Sequence, residues 1–134
     1  MTHQEEVATM LGKSFDDNSP LFLQIKERIE DQIINGALNE DEQVPSTTQI
    51  VQFYKINHIT VSKGVNLLVD EGIVYKKRGV GMFINKGAKK MLIEKRKQNF
   101  LTHYMKPMLT EAKKLGIDLQ ALIEMIEKEV TSDE

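Results

Sequence analysis

The chain of 134 residues contains no cysteine, so it can build neither a disulfide scaffold nor a cysteine-based zinc or iron–sulfur site. It has no run of about 20 apolar residues, which argues against a membrane-spanning helix. The first twelve residues hold Glu5 and Glu6 and lack a basic start followed by an apolar stretch, unlike a secretory signal. His3, His58 and His103 fall at no metal-ligand spacing, and no Gly-x-Ser-x-Gly, P-loop or dinucleotide fingerprint is present. Glu124 and Glu127 share a helix surface and are no acid–base dyad. Internal repeats and low-complexity segments are missing as well. These absences speak against an enzyme, a metal site or a cofactor, and lead us to expect a cytoplasmic chain without membrane contact. What remains is ordinary composition, 40% hydrophobic and 28% charged, which suits one small domain with an appendage.

The net charge of −2 hides a strong polarity. Between Lys55 and Lys97 there are eleven basic residues and three acids, a balance of +8, while the rest of the chain carries −10. Such a chain can attract phosphate with one region and repel it with another, although a charge run can also be no more than a solvated face.

Ser19-Pro20 is a helix-opening pair, with Ser able to cap and Pro suited to the first turn. Leu21, Phe22, Ile25, Ile29 and Ile33 then recur at helical spacing, which predicts a first helix over Pro20 to Asn35 ended by Gly36. Asn39 to Gln43 is a polar loop, and Val44-Pro45 is extended, because a residue before proline avoids helix. Ser46 caps a short second helix, Thr47 to Lys55, and a tight break at Ile56-Asn57 follows. Asn57 caps a third helix, His58 to Glu71, with Val61, Val65, Leu68 and Val69 as its inner face. Ile73 to Lys77 and Met82 to Ile84 are short strands around the turn Arg78-Gly79-Val80-Gly81, hence a β-hairpin. Beyond Gly87 comes a basic helical stretch and then one apolar stripe: Leu101, Tyr104, Met105, Met108, Leu109, Ala112 and Leu115. Pro107 should interrupt the helix near Thr102 to Lys106. Gly116 stops it, Asp118 caps the next, and Leu119, Leu122, Ile123, Ile126 and Val130 form a last amphipathic face.

The fold class this order predicts is mainly α with a small β-hairpin: an N-terminal winged helix-turn-helix followed by a short C-terminal helical dimerisation tail. The expected division is an extension over 1–14, the winged domain over 15–86 and a two-helix tail over 87–134.

A spaced set of residues carries a more specific likeness. Ser19-Pro20-Leu21-Phe22-Leu23-Gln24-Ile25, Ile29, Ile33, Gly36, Leu38, Pro45-Ser46, Thr60-Val61, Leu68, Glu71-Gly72 and Gly79-Val80-Gly81-Met82-Phe83 resemble the DNA-binding domain of GntR-family transcriptional regulators. The match covers half the chain, Phe15 to Asn85, and the short two-helix tail is similar to that of the YtrA-like subfamily. The resemblance implies a dimeric repressor on a partly palindromic double-stranded DNA operator, acting on its own or a neighbouring operon, commonly one for an ABC transporter. Three positions depart from the family pattern. Thr48 and the pair Asn57-His58 stand where arginine-bearing motifs are usual, and Gly64 stands where the family carries Ala. Arginine is the strongest reader of guanine edges, so the operator should differ from that of arginine-bearing relatives.

The third helix is then the recognition helix, with Asn57, His58, Thr60 and Lys63 as exposed candidates. Asn57 can be a cap or a phosphate ligand. Ser46, Thr47 and Thr48 open the second helix, where hydroxyls and free N–H groups can seat a phosphate or serve as caps alone. In the wing, Lys77 and Arg78 precede Gly79 and Gly81, which let the backbone approach DNA while Arg enters the minor groove. The tail stripe, namely Leu101, Tyr104, Met105, Met108 and Leu109 with Leu119, Leu122, Ile123 and Ile126, can fold onto the winged domain or pack against a second copy. The second is favoured, since the 47 residues after Gly87 are too few for an independent core. A small-molecule effector would have only a small cleft between tail and winged domain. The alternative is a winged-helix protein-interaction module without DNA binding, which would present an apolar or acidic recognition helix in place of Lys63 and a basic wing.

Overall fold

The computed structural model describes Gly12 and residues 15–132. The expected extension over 1–14 therefore lies outside the described residues except for Gly12, whose carbonyl accepts from the Tyr54 hydroxyl at 2.6 Å. The described chain divides into two compact units, with the break after Ile93.

In the first unit, α1 (Leu21–Ile34) turns Ile25, Ile29 and Ile33 fully inward. Ser19 does not cap it. Proline occupies the N-cap position itself, and the Leu23 and Gln24 N–H groups bond to the Pro20 carbonyl. The preceding chain is held instead by Gln24, which accepts from the Asp16 N–H at 3.0 Å and donates to the Asp16 and Ser19 carbonyls at 2.7 and 2.8 Å.

The stretch expected as loop ends in a strand, β1 (Gln43–Val44), which is too short to show the period-two alternation that marks strands in sequence. After it come α2 (Thr47–Tyr54), α3 (His58–Asp70), β2 (Val74–Lys77) and β3 (Gly81–Ile84). The hairpin is three-stranded: β3 lies between β1 and β2, antiparallel to both, with Val44 opposite Met82 and Val74 opposite Ile84. Ile25, Ile29, Ile50, Val61, Leu68, Val74 and Ile84 meet in one core. At about 25 cal/mol per Å² of apolar surface withdrawn from water, such a cluster is the main force holding the helices to the sheet.

That core extends past residue 86. The helix α4 (Ala88–Phe100) supplies Ala88 and Leu92, both buried, and the Gly87 N–H donates to Glu40 Oε1 at 2.8 Å. The first turns of the presumed tail therefore belong to the winged unit.

In the second unit, the backbone answers Pro107 with a π-helical turn, Leu101–Met105, in which the Lys106 N–H reaches the Leu101 carbonyl. Proline cannot donate and crowds the preceding turn, and a wider turn relieves both. Then follow α5 (Lys106–Lys114) and α6 (Leu119–Ser132). Gly116, at φ +70°, ends α5, and the Asp118 carboxylate accepts from the Ala121 N–H at 2.8 Å to open α6. No helix among the described residues is long and apolar enough to cross a membrane.

Candidate nucleic-acid interface

The second helix begins with reciprocal capping. Ser46 Oγ accepts from the Gln49 N–H at 3.1 Å, and Gln49 Oε1 accepts from the Ser46 N–H at 2.8 Å. Thr47 is half-buried and Thr48 exposed on the same turn. The turn into α3 passes through Lys55, which takes a left-handed conformation at φ +57°. Asn57 then caps α3, its Oδ1 accepting from the Ile59 N–H at 2.7 Å. The amide nitrogen of that side chain remains available, so cap and phosphate donor can coexist.

Four buried residues, Val61, Gly64, Val65 and Leu68, form the inner face of α3. Its outer face carries His58, Ile59, Lys63 and Asn66, all exposed, with Thr60 half-exposed at its flank. His58 Nδ1 lies 3.4 Å from Ser62 Oγ. Lys63 is held above the Phe22 ring, its Nζ 4.1 Å from the centroid, a cation–π contact that steadies a long side chain.

The wing stands beside this face. Lys76 Nζ donates to Asn66 Oδ1 at 3.2 Å, tying β2 to the outer surface of α3. Lys77 lies over the Phe83 ring at 4.9 Å, and Phe83 stacks on Tyr75 at 5.7 Å. The Tyr75 hydroxyl donates to Asp41 at 2.9 Å, which fixes the root of the hairpin and raises the phenol pKa by stabilising its protonated form. Arg78, Gly79 and Val80 are exposed at the tip. Gly79 takes φ +77° with open space around it, as the turn requires. Gly81 takes φ +148°, and a Cβ added there would meet the end of the Gln43 side chain of β1, which donates to the Val80 carbonyl.

Behind the interface, the Lys26 ammonium bridges Glu30 at 3.5 Å and Glu71 at 3.1 Å, pinning α1 to the end of α3. Sequence reading missed this bridge. It also passed over Asn66 and Ile59, and took Phe22 only as part of an apolar face and Gln43 only as part of a loop. Of these only Ile59 left a signal, as an apolar residue outside the Val61, Val65, Leu68 stripe.

In the tail unit, Leu101, Tyr104, Met105, Met108, Leu109, Leu119, Ile123 and Ile126 are exposed. Leu122 departs from the expected set: it is buried within the tail unit, as is Ala112. Met108, Leu115, Leu122, Met125, Ile126 and Val130 line a groove of about 480 Å³. Among the described residues, no group of histidine and carboxylate side chains could hold a metal ion.

The arrangement is matched by known proteins. Residues 21–84 match the family described as bacterial regulatory proteins, gntR family. The transcriptional repressor YtrA of Bacillus subtilis is 29% identical over 116 residues, 87% of this chain and 88% of that one. The repressor NagR of the same organism is 36% identical over 67 residues, which is 50% of this chain but 28% of that longer protein. A crystal structure of a GntR-family transcriptional regulator from Bacteroides thetaiotaomicron superposes with a TM-score of 0.71 at 30% identity, covering 85% of this chain and 99% of that one. With a winged helix-turn-helix whose third helix and basic wing lie side by side, and a likeness that runs on through the short tail, the chain belongs to the GntR family of bacterial regulatory proteins as a YtrA-like, DNA-binding transcription regulator.

Proposed function

We propose that this regulator is a cytoplasmic repressor that binds a partly palindromic operator as a homodimer, beside its own operon or a neighbouring one of the ABC-transporter kind. In this reading the first turns of α3 enter the major groove, with Asn57, His58, Thr60 and Lys63 on bases and phosphates. Ser46, Thr47 and Thr48 at the start of α2 hold a phosphate, and Arg78 enters the minor groove beside Lys77, with Gly79 and Gly81 letting the backbone approach. The observation that carries the reading is the Lys76–Asn66 hydrogen bond, which sets the basic wing against the outer face of α3. A protein-interaction module would have no use for cations concentrated there. The exposed tail face supports the dimer, since apolar patches rimmed by charge mark interfaces.

Salt dependence of DNA binding tests the reading. Each neutralised phosphate adds about −0.9 to the slope of log K against log salt. Lys63→Ala and Lys77→Ala should each flatten the slope by about that amount. Neither residue is buried, so the fold should survive both changes. An unchanged slope in both variants would place the DNA surface elsewhere.

A further inference from the structure

The outer face of α3 carries one isoleucine. Ile59 is 76% exposed, the highest value among the exposed large hydrophobic side chains. It stands in the first turn of α3, and its own N–H is held by the Asn57 cap. Helix geometry puts Ser62, Lys63 and Asn66, three, four and seven residues on, in the same strip. Ile59 is thus the apolar member of a polar ridge. Its side chain leans toward the helix N-terminus, as helical side chains do. A single exposed hydrophobe needs no explanation on most surfaces. Here it occupies the end of the helix that would enter the major groove, between the exposed His58 and the half-exposed Thr60.

Hydrogen-bonding edges line the major groove of B-DNA, and the one apolar group it offers among the four bases is the C5 methyl of thymine. A branched aliphatic side chain has no hydrogen bond to give a base edge and would leave a guanine or cytosine edge desolvated and unpaired. Against thymine it withdraws a methyl from water and loses nothing. We infer that Ile59 is a specificity-determining residue that reads a thymine methyl in each half-site. This compensates in part for the missing arginines at 48 and 58, because it shifts recognition from guanine edges to thymine. The inference rests on α3 being the DNA-reading helix.

The test replaces thymine by deoxyuridine, which removes the methyl and keeps every hydrogen-bonding group. Operators are first selected from a random duplex pool with the full chain. Each thymine of the recovered consensus is then changed to deoxyuridine in turn, and affinities are measured for wild type, Ile59→Ala and Ile59→Val. A methyl withdrawn from water should make one thymine position about fourfold weaker as deoxyuridine for wild type. Ile59→Ala should bind both forms alike, and Ile59→Val should keep most of the discrimination. Thermal melting checks that both variants are folded, as the exposure of Ile59 leads us to expect. If no deoxyuridine change weakens wild type, or if Ile59→Ala is weakened equally, Ile59 does not read thymine although α3 can still read DNA. If the pool returns no consensus, DNA reading by α3 fails and the inference falls with it.

Discussion

Gly64 lies where α1 and α3 come closest: a Cβ added there would sit 2.5 Å from the Phe22 carbonyl oxygen. The same Phe22 carries the Lys63 ammonium on its ring, so the close approach of the two helices also places a candidate DNA ligand. Gly64→Ala would restore the residue usual in the family, and it should nevertheless destabilise this protein. The clash is with backbone, which can yield only by moving a helix, and overpacking of this kind costs about 1–3 kcal/mol. Urea unfolding of the two proteins measures it; equal midpoints would show that α1 can shift without loss. Residues whose role depends on near neighbours were legible in the sequence. Ser46, Asn57 and Asp118 cap the helices assigned to them, because a cap is decided within three residues. Gly64 and Lys26 were not legible, since their partners Phe22 and Glu71 lie more than 40 residues away along the chain and become neighbours only through the fold.

At the level of elements, the long amphipathic helices and the glycine-centred hairpin stood out because their periods repeat over several turns or pairs. Two elements did not. The strand β1 has two residues, followed by Pro45, and exists because β3 offers it a free edge. The helix α4 lies beyond Lys86, where the tail is expected to begin, yet its Ala88 and Leu92 are buried in the winged core. The helix α2 offers a sharper test of placement. Thr48 is exposed on its first turn, beside the capping box. Thr48→Arg should tighten DNA binding through added phosphate attraction and shift selected sites toward a guanine near the outer edge of each half-site. A bidentate arginine–guanine pair supplies about 1–3 kcal/mol of discrimination that threonine cannot match. The wing, with Arg78 unchanged, should keep its preference for a narrow, A·T-rich minor groove. Selection from a random pool with both proteins decides the matter: an identical consensus would mean that position 48 does not face the bases.

Over the whole molecule, apolar surface is distributed unevenly. Among the described residues the winged unit leaves few large apolar side chains exposed, namely Ile59, Val80 and Met91, whereas the tail unit leaves Tyr104, Leu115, Leu119 and Val130 more than half exposed. A monomer would hold that surface in water at a cost proportional to its area. A second copy laid along the groove of α5 and α6 would cover Leu115 and Val130 and would bring two α3 helices into one assembly. Half-sites one turn apart need those helices about 34–36 Å apart, a spacing that one chain cannot supply. Cutting the chain at Lys86 is a poor test, because Ala88 and Leu92 would leave the winged core. Charge placed in the groove is cleaner. Met108 and Ile126 both line it and are both exposed, so Met108→Glu and Ile126→Glu should fold. Two copies of each glutamate would then be desolvated in an apolar contact without partners, which a dimer cannot tolerate. Sedimentation should show wild type as a dimer and each variant as a monomer, with operator affinity falling at least tenfold as the second half-site is lost. Lys63-dependent, salt-sensitive binding to a single half-site should persist in the variants. A wild-type monomer, or variants that remain dimeric at micromolar concentration, would remove the tail from the assembly and leave the exposed face to another partner.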